Sequence, residues 1–267
     1  MPMRVKKEAL EELYQTCNRR ELVHPDPLEF LYDYGDLHDR EIAALVASSL
    51  AYGRVRQILK SVSAVLSRMS PSPCGFVKES TEKEIGRAFA GFKHRFTTGG
   101  ELSRMLVGAK AAIAKHGSLH GCFAAGFKKD DPTVLPALSR FAAELSGGRK
   151  MSLLPLPGLG SACKRLNLFL RWMVRRDEVD PGGWAGVPAS KLIVPLDTHM
   201  HRIGRAMGLT RRKAADMRTA LEITAAFASV SPDDPVRYDF ALTRLGIRDD
   251  MDAAIFLKRY KALANCR

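Results

Sequence analysis

The chain is short of acidic residues and has no ordered set of cysteines. Over 267 residues, 29 Asp and Glu stand against 42 Lys and Arg, a net charge of +13 at neutral pH. A deficit of acids on this scale favours a polyanionic partner, nucleic acid first. The cysteines fall at positions 17, 74, 122, 163 and 266, an odd number with no Cys-x-x-Cys pair. That spacing argues against a disulfide framework and against a four-cysteine iron–sulfur cluster, and leaves buried free thiols in a reducing compartment as the expectation. No run of about 18 apolar residues occurs, so no membrane-spanning helix and no membrane partner are expected. Residues 1–13 are charged and only mildly amphipathic, without the apolar core of a secretory leader, which points to the cytoplasm. Internal repeats, low-complexity tracts and long flexible linkers are also absent from the pattern.

Helical periodicity is what the sequence does have. Ten segments carry it: 8–18, 39–52, 54–68, 101–116, 132–145, 162–176, 199–207, 212–228, 235–245 and 251–264. In the second, Ile42, Leu45, Val46, Ser49 and Leu50 share one face, and Asp39 is placed to cap its start. Gly99-Gly100 opens the fourth and Gly117 closes it. Convincing strand alternation is missing, so the fold class expected is all-α. The breaks near 70–73, 128–131, 147–148 and 180–188 are too short to separate domains. Residues 1–267 therefore read as one compact unit, with two helical lobes and a cleft between them.

Two segments in the C-terminal half carry candidate chemistry, within residues 153–210. In Leu156-Pro157-Gly158-Leu159-Gly160-Ser161, the two glycines permit positive φ and close backbone approach. A helix that starts at such a turn presents unpaired amides to a phosphate. The segment that follows has Lys164, Arg165, Arg171, Arg175 and Arg176 and no acid. Its apolar positions are Leu166, Phe169, Leu170, Met173 and Val174, which leaves Lys164, Asn167, Leu168, Arg171 and Arg175 on a second face. That face is either merely solvated or a sequence-independent phosphate contact. Lys164 is a candidate amine nucleophile, a role that requires partial desolvation or neighbouring cations.

The second segment is Pro195-Leu196-Asp197-Thr198-His199, followed by Arg202 and Gly208-Leu209. Asp before a helix is what capping predicts, and its carboxylate can cap while also facing a cleft. His199 and His201 are two apart, so they do not share a helix face as a pair of metal ligands would. No metal is expected there.

These two segments resemble the helix-hairpin-helix DNA glycosylase superfamily, which includes endonuclease III. In its common members the nucleophilic lysine lies two residues after the second glycine, a position held here by Ala162. The lysine of this chain is Lys164, 33 residues before Asp197. The archaeal 8-oxoguanine DNA glycosylase branch, with a longer insert before the aspartate, is closer: Lys164-Arg165-Leu166-Asn167 is similar to its lysine segment. The whole chain, including residues 190–197 and 234–246, also resembles an uncharacterised bacterial family of unknown function placed near these glycosylases.

The resemblance implies two all-α lobes with a helix-hairpin-helix element at the cleft. It implies a glycosylase/AP lyase that removes an oxidised purine such as 8-oxoguanine through a lysine Schiff base, with Lys164 as nucleophile and Asp197 as its partner. DNA contacts are expected from Gly158, Leu159, Gly160, Ser161, Arg165, Arg171 and Arg202. The base pocket is expected from Tyr52, Arg54, Gln57, Asp239 and Phe240, with Asp239 reading N–H donors on a purine edge and Phe240 better suited to the core. No iron–sulfur cluster is implied; a monovalent cation at the hairpin is compatible with the family. The partner expected is double-stranded DNA with a damaged base, bound by a monomer associated with the nucleoid. Two other classes fit parts of the pattern. One is a non-catalytic helix-hairpin-helix protein that binds DNA or structured RNA without needing Lys164 or Asp197. The other is a helical metal-dependent phosphohydrolase using His199 and His201.

Overall fold

The computed structural model describes residues 5–247 and 251–265. Residues 1–4 of the charged N-terminal stretch, and Cys266, lie outside the described residues. In chain order the helices are α1 (Lys7–Cys17), α2 (Leu37–Ser49), α3 (Val55–Ser67), α4 (Pro73–Glu79), α5 (Glu82–Ala88), α6 (Gly99–His116), α7 (Leu119–Gly126), α8 (Leu135–Ser146), α9 (Lys164–Val174), α10 (Thr198–Ala206), α11 (Met217–Ala228), α12 (Asp239–Ile247) and α13 (Ala253–Asn265). One small hairpin interrupts them. Its strand β1 (Lys93–His94) pairs antiparallel with β2 (Thr97–Thr98), His94 opposite Thr97. The class is all-α. Among the described residues no helix is long and apolar enough to cross a membrane.

Local chemistry sets the boundaries. Helix α2 starts at Leu37 rather than at Asp39, because Asp36 is the cap: its carboxylate accepts from the amides of His38 and Asp39 at 2.9 and 3.0 Å. Asp39 instead accepts from Ser72 Oγ and the Cys74 amide, which ties α2 to the start of α4. Helices α4, α5 and α7 have seven or eight residues each and were not expected from periodicity. Each opens on a capping side chain: Ser72, Thr81 and Ser118 accept from the amides of Gly75, Glu84 and Gly121. Gly117 ends α6 with φ of +82°, as expected.

Buried apolar side chains from Val5 to Tyr260 form a single cluster. Helices α4 to α8 pack with α2 in one group, and α12 gathers α1 and α10 in another. Helix α9 packs against α2, with every residue from Leu166 to Met173 buried. Cys74, Cys122 and Cys163 are buried free thiols, the environment expected for them.

On the second face of α9, Arg171 and Arg175 are not solvated and do not face a phosphate, which corrects both sequence-based alternatives for these two residues. Arg171 donates from Nη1 to Asp239 Oδ2 at 2.5 Å, and from Nε and Nη2 to Asp180 Oδ1 at 3.1 and 3.0 Å. Arg175 pairs with Asp234, Asp177 and Asp180. Both arginines are almost wholly buried. Their carboxylate partners lie up to 68 residues away, so nothing local on the helix announces them. Arg171 is therefore a structural cation rather than a DNA-backbone contact, since a buried charge needs a fixed counter-charge and Arg171 has two.

Candidate active site

A cleft of about 730 Å³ opens where these groups meet. Its walls come from the turn after α2, the first residues of α3 and α9, the start of α10, and α12. Lys164, Asp197, Asp239, Tyr52, Arg165 and Arg171 all line it.

Lys164 is the first residue of α9. Cys163 before it has a left-handed backbone, φ +47° and ψ +39°, an uncommon conformation for a residue with a Cβ. Residue 164 lines the cleft, and residue 162 does not. Ala162, two residues after Gly160, is buried in the core. The Lys164 ammonium donates to the Ala51 carbonyl at 3.2 Å and lies 3.8 Å from Asp197 Oδ2. The two side chains are 28% and 35% exposed, enough for a ligand to reach both.

Asp197 performs the two tasks that its position allows. It is the N-cap of α10, with Oδ1 accepting from the Met200 amide at 2.8 Å, while Oδ2 faces Lys164. The capping bond fixes the carboxylate's orientation.

Asp239 lies deeper, almost wholly buried. Arg171 satisfies Oδ2, but Oδ1 has no hydrogen-bond partner among the described residues. Burial pushes the carboxyl up to about 6 against the opposing pull of Arg171. A buried, half-satisfied carboxyl at the floor of a cleft is chemically unspent, since such atoms ordinarily find a partner.

The remaining predicted residues divide. Tyr52 lines the cleft, stacked on Phe96 at 4.9 Å between ring centres, with the Arg165 guanidinium 5.0 Å from its own. Arg165 is not a free phosphate ligand: it donates to the carbonyls of Ser49 and Ser152, stapling the end of α2 to the segment before the hairpin. Arg54 and Gln57 are exposed and lie outside the cleft wall, with Gln57 Nε2 directed at Ser61. Phe240 is a core residue, packed beside Arg244. Arg202 is exposed and within 3.2 Å of His199 Nδ1.

The Gly158–Ser161 tip is exposed, Leu159 most of all at 69%. Its amides are less open than the sequence suggests. Pro157–Leu159 is a 3-10 turn in which the Leu159 amide bonds Leu156 O and the Gly160 amide bonds Pro157 O. Gly160 takes φ of +82°, and its carbonyl accepts from the Met217 amide, so the tip is anchored on the start of α11. Helix α8 ends at Ser146, with ten residues between it and the turn. His199 and His201 send their Nε2 atoms to different carbonyls, those of Leu242 and Arg212.

Sequence reasoning missed three contributors: the Ala51 carbonyl, the Arg171 support of Asp239, and Phe96. Arg171 was within reach, lying seven residues after Lys164 on the same helical face. The other two depend on a helix end and a hairpin that no periodicity marks.

Residues 26–248 match the family described as Protein of unknown function (DUF2400). The chain belongs to this family. The match runs from Asp26 past α12, so every charged cleft residue named above lies inside it. No curated protein and no solved structure matches the chain.

Proposed function

We propose that this DUF2400 protein is a DNA glycosylase with AP lyase activity that removes an oxidised purine through a Schiff base on Lys164. One observation carries the reading: an amine, a capped carboxylate and a half-satisfied buried carboxyl converge on one cleft of a strongly basic protein. A base inside a duplex is beyond reach of such a cleft, so the target nucleotide is extruded into it. The Lys164 amine lies within 4 Å of Asp197, the spacing at which a carboxylate can stabilise a developing cation and take a proton.

In the reaction, Asp197 takes a proton from the Lys164 ammonium, which frees the Nζ lone pair. That pair forms a bond to the sugar C1′ as the C1′–N9 bond breaks, and the base leaves with the C1′–N9 electron pair and receives the proton held by Asp197. Asp197, ionised again, stabilises the positive charge left on the sugar–amine adduct. A second Nζ proton moves to O4′ as the C1′–O4′ bond breaks, which opens the ring and leaves the protonated Schiff base. Loss of a C2′ proton then expels the 3′ phosphate with its bonding electrons. Asp239 reads the extruded base. Its free Oδ1 accepts from a purine N–H when ionised, or donates when protonated, as a group near 6 can do. The substrate partner is double-stranded DNA, which places the protein at the nucleoid.

Borohydride trapping on duplexes with 8-oxoguanine or an abasic site tests this reading, with Lys164→Gln as control. A covalent adduct that disappears in the variant supports it. Trapping on the abasic duplex alone keeps the lyase and rejects the oxidised purine. A second reading is favoured by the Lys164–Ala51 bond, which also suits a lysine that only ties α2 to α9: a non-catalytic nucleic-acid binder. Salt-sensitive DNA binding with no adduct on either duplex selects it.

A further inference from the structure

We infer that the β1–β2 hairpin is an aromatic finger, and that Phe96 at its tip stacks on an unpaired nucleobase of DNA beside the cleft mouth. The inference rests on the reading of the cleft as a site for an extruded nucleotide. It adds a surface that the hairpin–lysine–aspartate pattern does not include.

Phe96 is 63% exposed, an unusual position for a large aromatic side chain. It is not a loose side chain. It stacks on Tyr52, a residue of the cleft wall, at 4.9 Å and 26° between planes. Tyr52 Oη in turn lies 2.9 Å from His94 O and 2.7 Å from Thr97 Oγ1, so it holds both strands of the hairpin. His94 is buried between them, with Nδ1 at 2.8 Å from Ser61 Oγ on α3 and Nε2 at 3.1 Å from Tyr52 O. The hairpin is therefore bolted to α3 and to the turn after α2, and Phe96 extends the aromatic wall of the cleft outward by one ring.

The backbone at the tip is strained toward this presentation. Arg95 has φ of +54°, a left-handed conformation that disfavours a residue with a Cβ. Its side chain lies against Gly53, where a Cβ would meet it at 2.8 Å. A two-residue turn needs such a residue, and this one is Arg rather than Gly or Asn.

The surroundings specify the partner's charge. No Asp or Glu occurs from residue 42 to 78, nor from 85 to 100. These two stretches supply α3 and the hairpin, which pack together. Arg54, Arg56, Lys93 and Arg95 are all exposed on them. An exposed ring beside basic side chains, on two segments that carry no acid, matches a strand that offers a π-face and phosphates at once. A protein partner's apolar side chain would satisfy the ring but leave these cations without counter-charge.

The test measures affinity for two duplexes, one with a single unpaired 2-aminopurine opposite an abasic analogue and one fully paired. Full-length wild type, Phe96→Ala and Phe96→Trp are compared, with thermal unfolding as a check on folding. Phe96→Ala should weaken binding to the unpaired-base duplex by roughly 5- to 100-fold, the range expected for loss of one base–aromatic stack. It should leave the fully paired duplex nearly unchanged. Phe96→Trp should keep the affinity and the quenching of 2-aminopurine fluorescence. Equal loss on both duplexes, or no loss on either, overturns the inference. If wild type still forms a Lys164 adduct on an abasic duplex while Phe96→Ala binds as wild type does, the finger alone is wrong. If wild type binds neither duplex, the cleft reading falls with it.

Discussion

Replacing Asp239 with Asn isolates a buried carboxyl that is left half-satisfied among the described residues. Burial lifts this group from the ordinary 3.8 to about 6, although Arg171 pulls the other way. The sign follows from linkage. The unfolded chain releases its proton near 3.8 and the folded chain only near 6, so between these values the folded state binds more protons. Stability contributed by the protonated carboxyl is therefore fully present below pH 3.8 and is lost as pH rises through 6. Asn does not titrate, so the stability of wild type relative to Asp239→Asn should fall with pH. With the two values above, the fall amounts to about 2 kcal/mol between pH 4.5 and pH 7.5. Urea unfolding of both proteins at intervals across that range measures it, provided the slopes with denaturant agree. A flat difference would refute the reasoning. A difference that grows with pH would show that Arg171 outweighs desolvation and holds the carboxyl below 3.8.

Other substitutions test the remaining supports. Arg171→Met leaves Asp239 without its ion-pair partner and Asp180 with Arg175 alone, and should cost about 3–5 kcal/mol in chemical unfolding; a loss near zero would mean that Asp239 is neutral in the fold. Gly108→Ala places a Cβ 1.8 Å from the Leu145 carbonyl oxygen, where α6 crosses α8. The backbone there must move, so a loss of about 3 kcal/mol is expected in thermal unfolding. Glu41 accepts from the amides of Leu119 and His120 and from Trp184 Nε1, and Glu41→Gln turns an NH₂ group toward those donors. The expected cost is about 1–3 kcal/mol, measured by urea unfolding.

The residues of the candidate site were more legible than their supports. Asp197 before a helix and a lysine after a Pro-Gly turn are local patterns, and both side chains reach one cleft. Asp239 was marked only by resemblance, and its burial comes from α9 and α12 meeting. The second face of α9 reads as either solvated or phosphate-binding because nothing local pairs its charges, and the acids that bury Arg171 and Arg175 come from the segment after the helix and from α12. Helices α4, α5 and α7 complete barely two turns, too few for periodicity to register, and they rest on caps and tertiary contacts. The hairpin escaped notice for a related reason. Two residues per strand cannot alternate, and its turn uses Arg95-Phe96 rather than a glycine-rich pair.

The left-handed residue at Cys163 bears on how relatives of this chain are recognised. A motif search counts residues from the second glycine and looks for an amine at a fixed offset. In this chain the first turn of α9 begins at Lys164, directly after the left-handed Cys163. An alignment anchored on Gly160 reads Ala162, a buried side chain, whereas one anchored on the first turn of α9 reads Lys164, which lines the cleft. A comparison of chains in this family that asks which side chain faces the cleft is therefore better registered on the start of the helix than on the end of the loop.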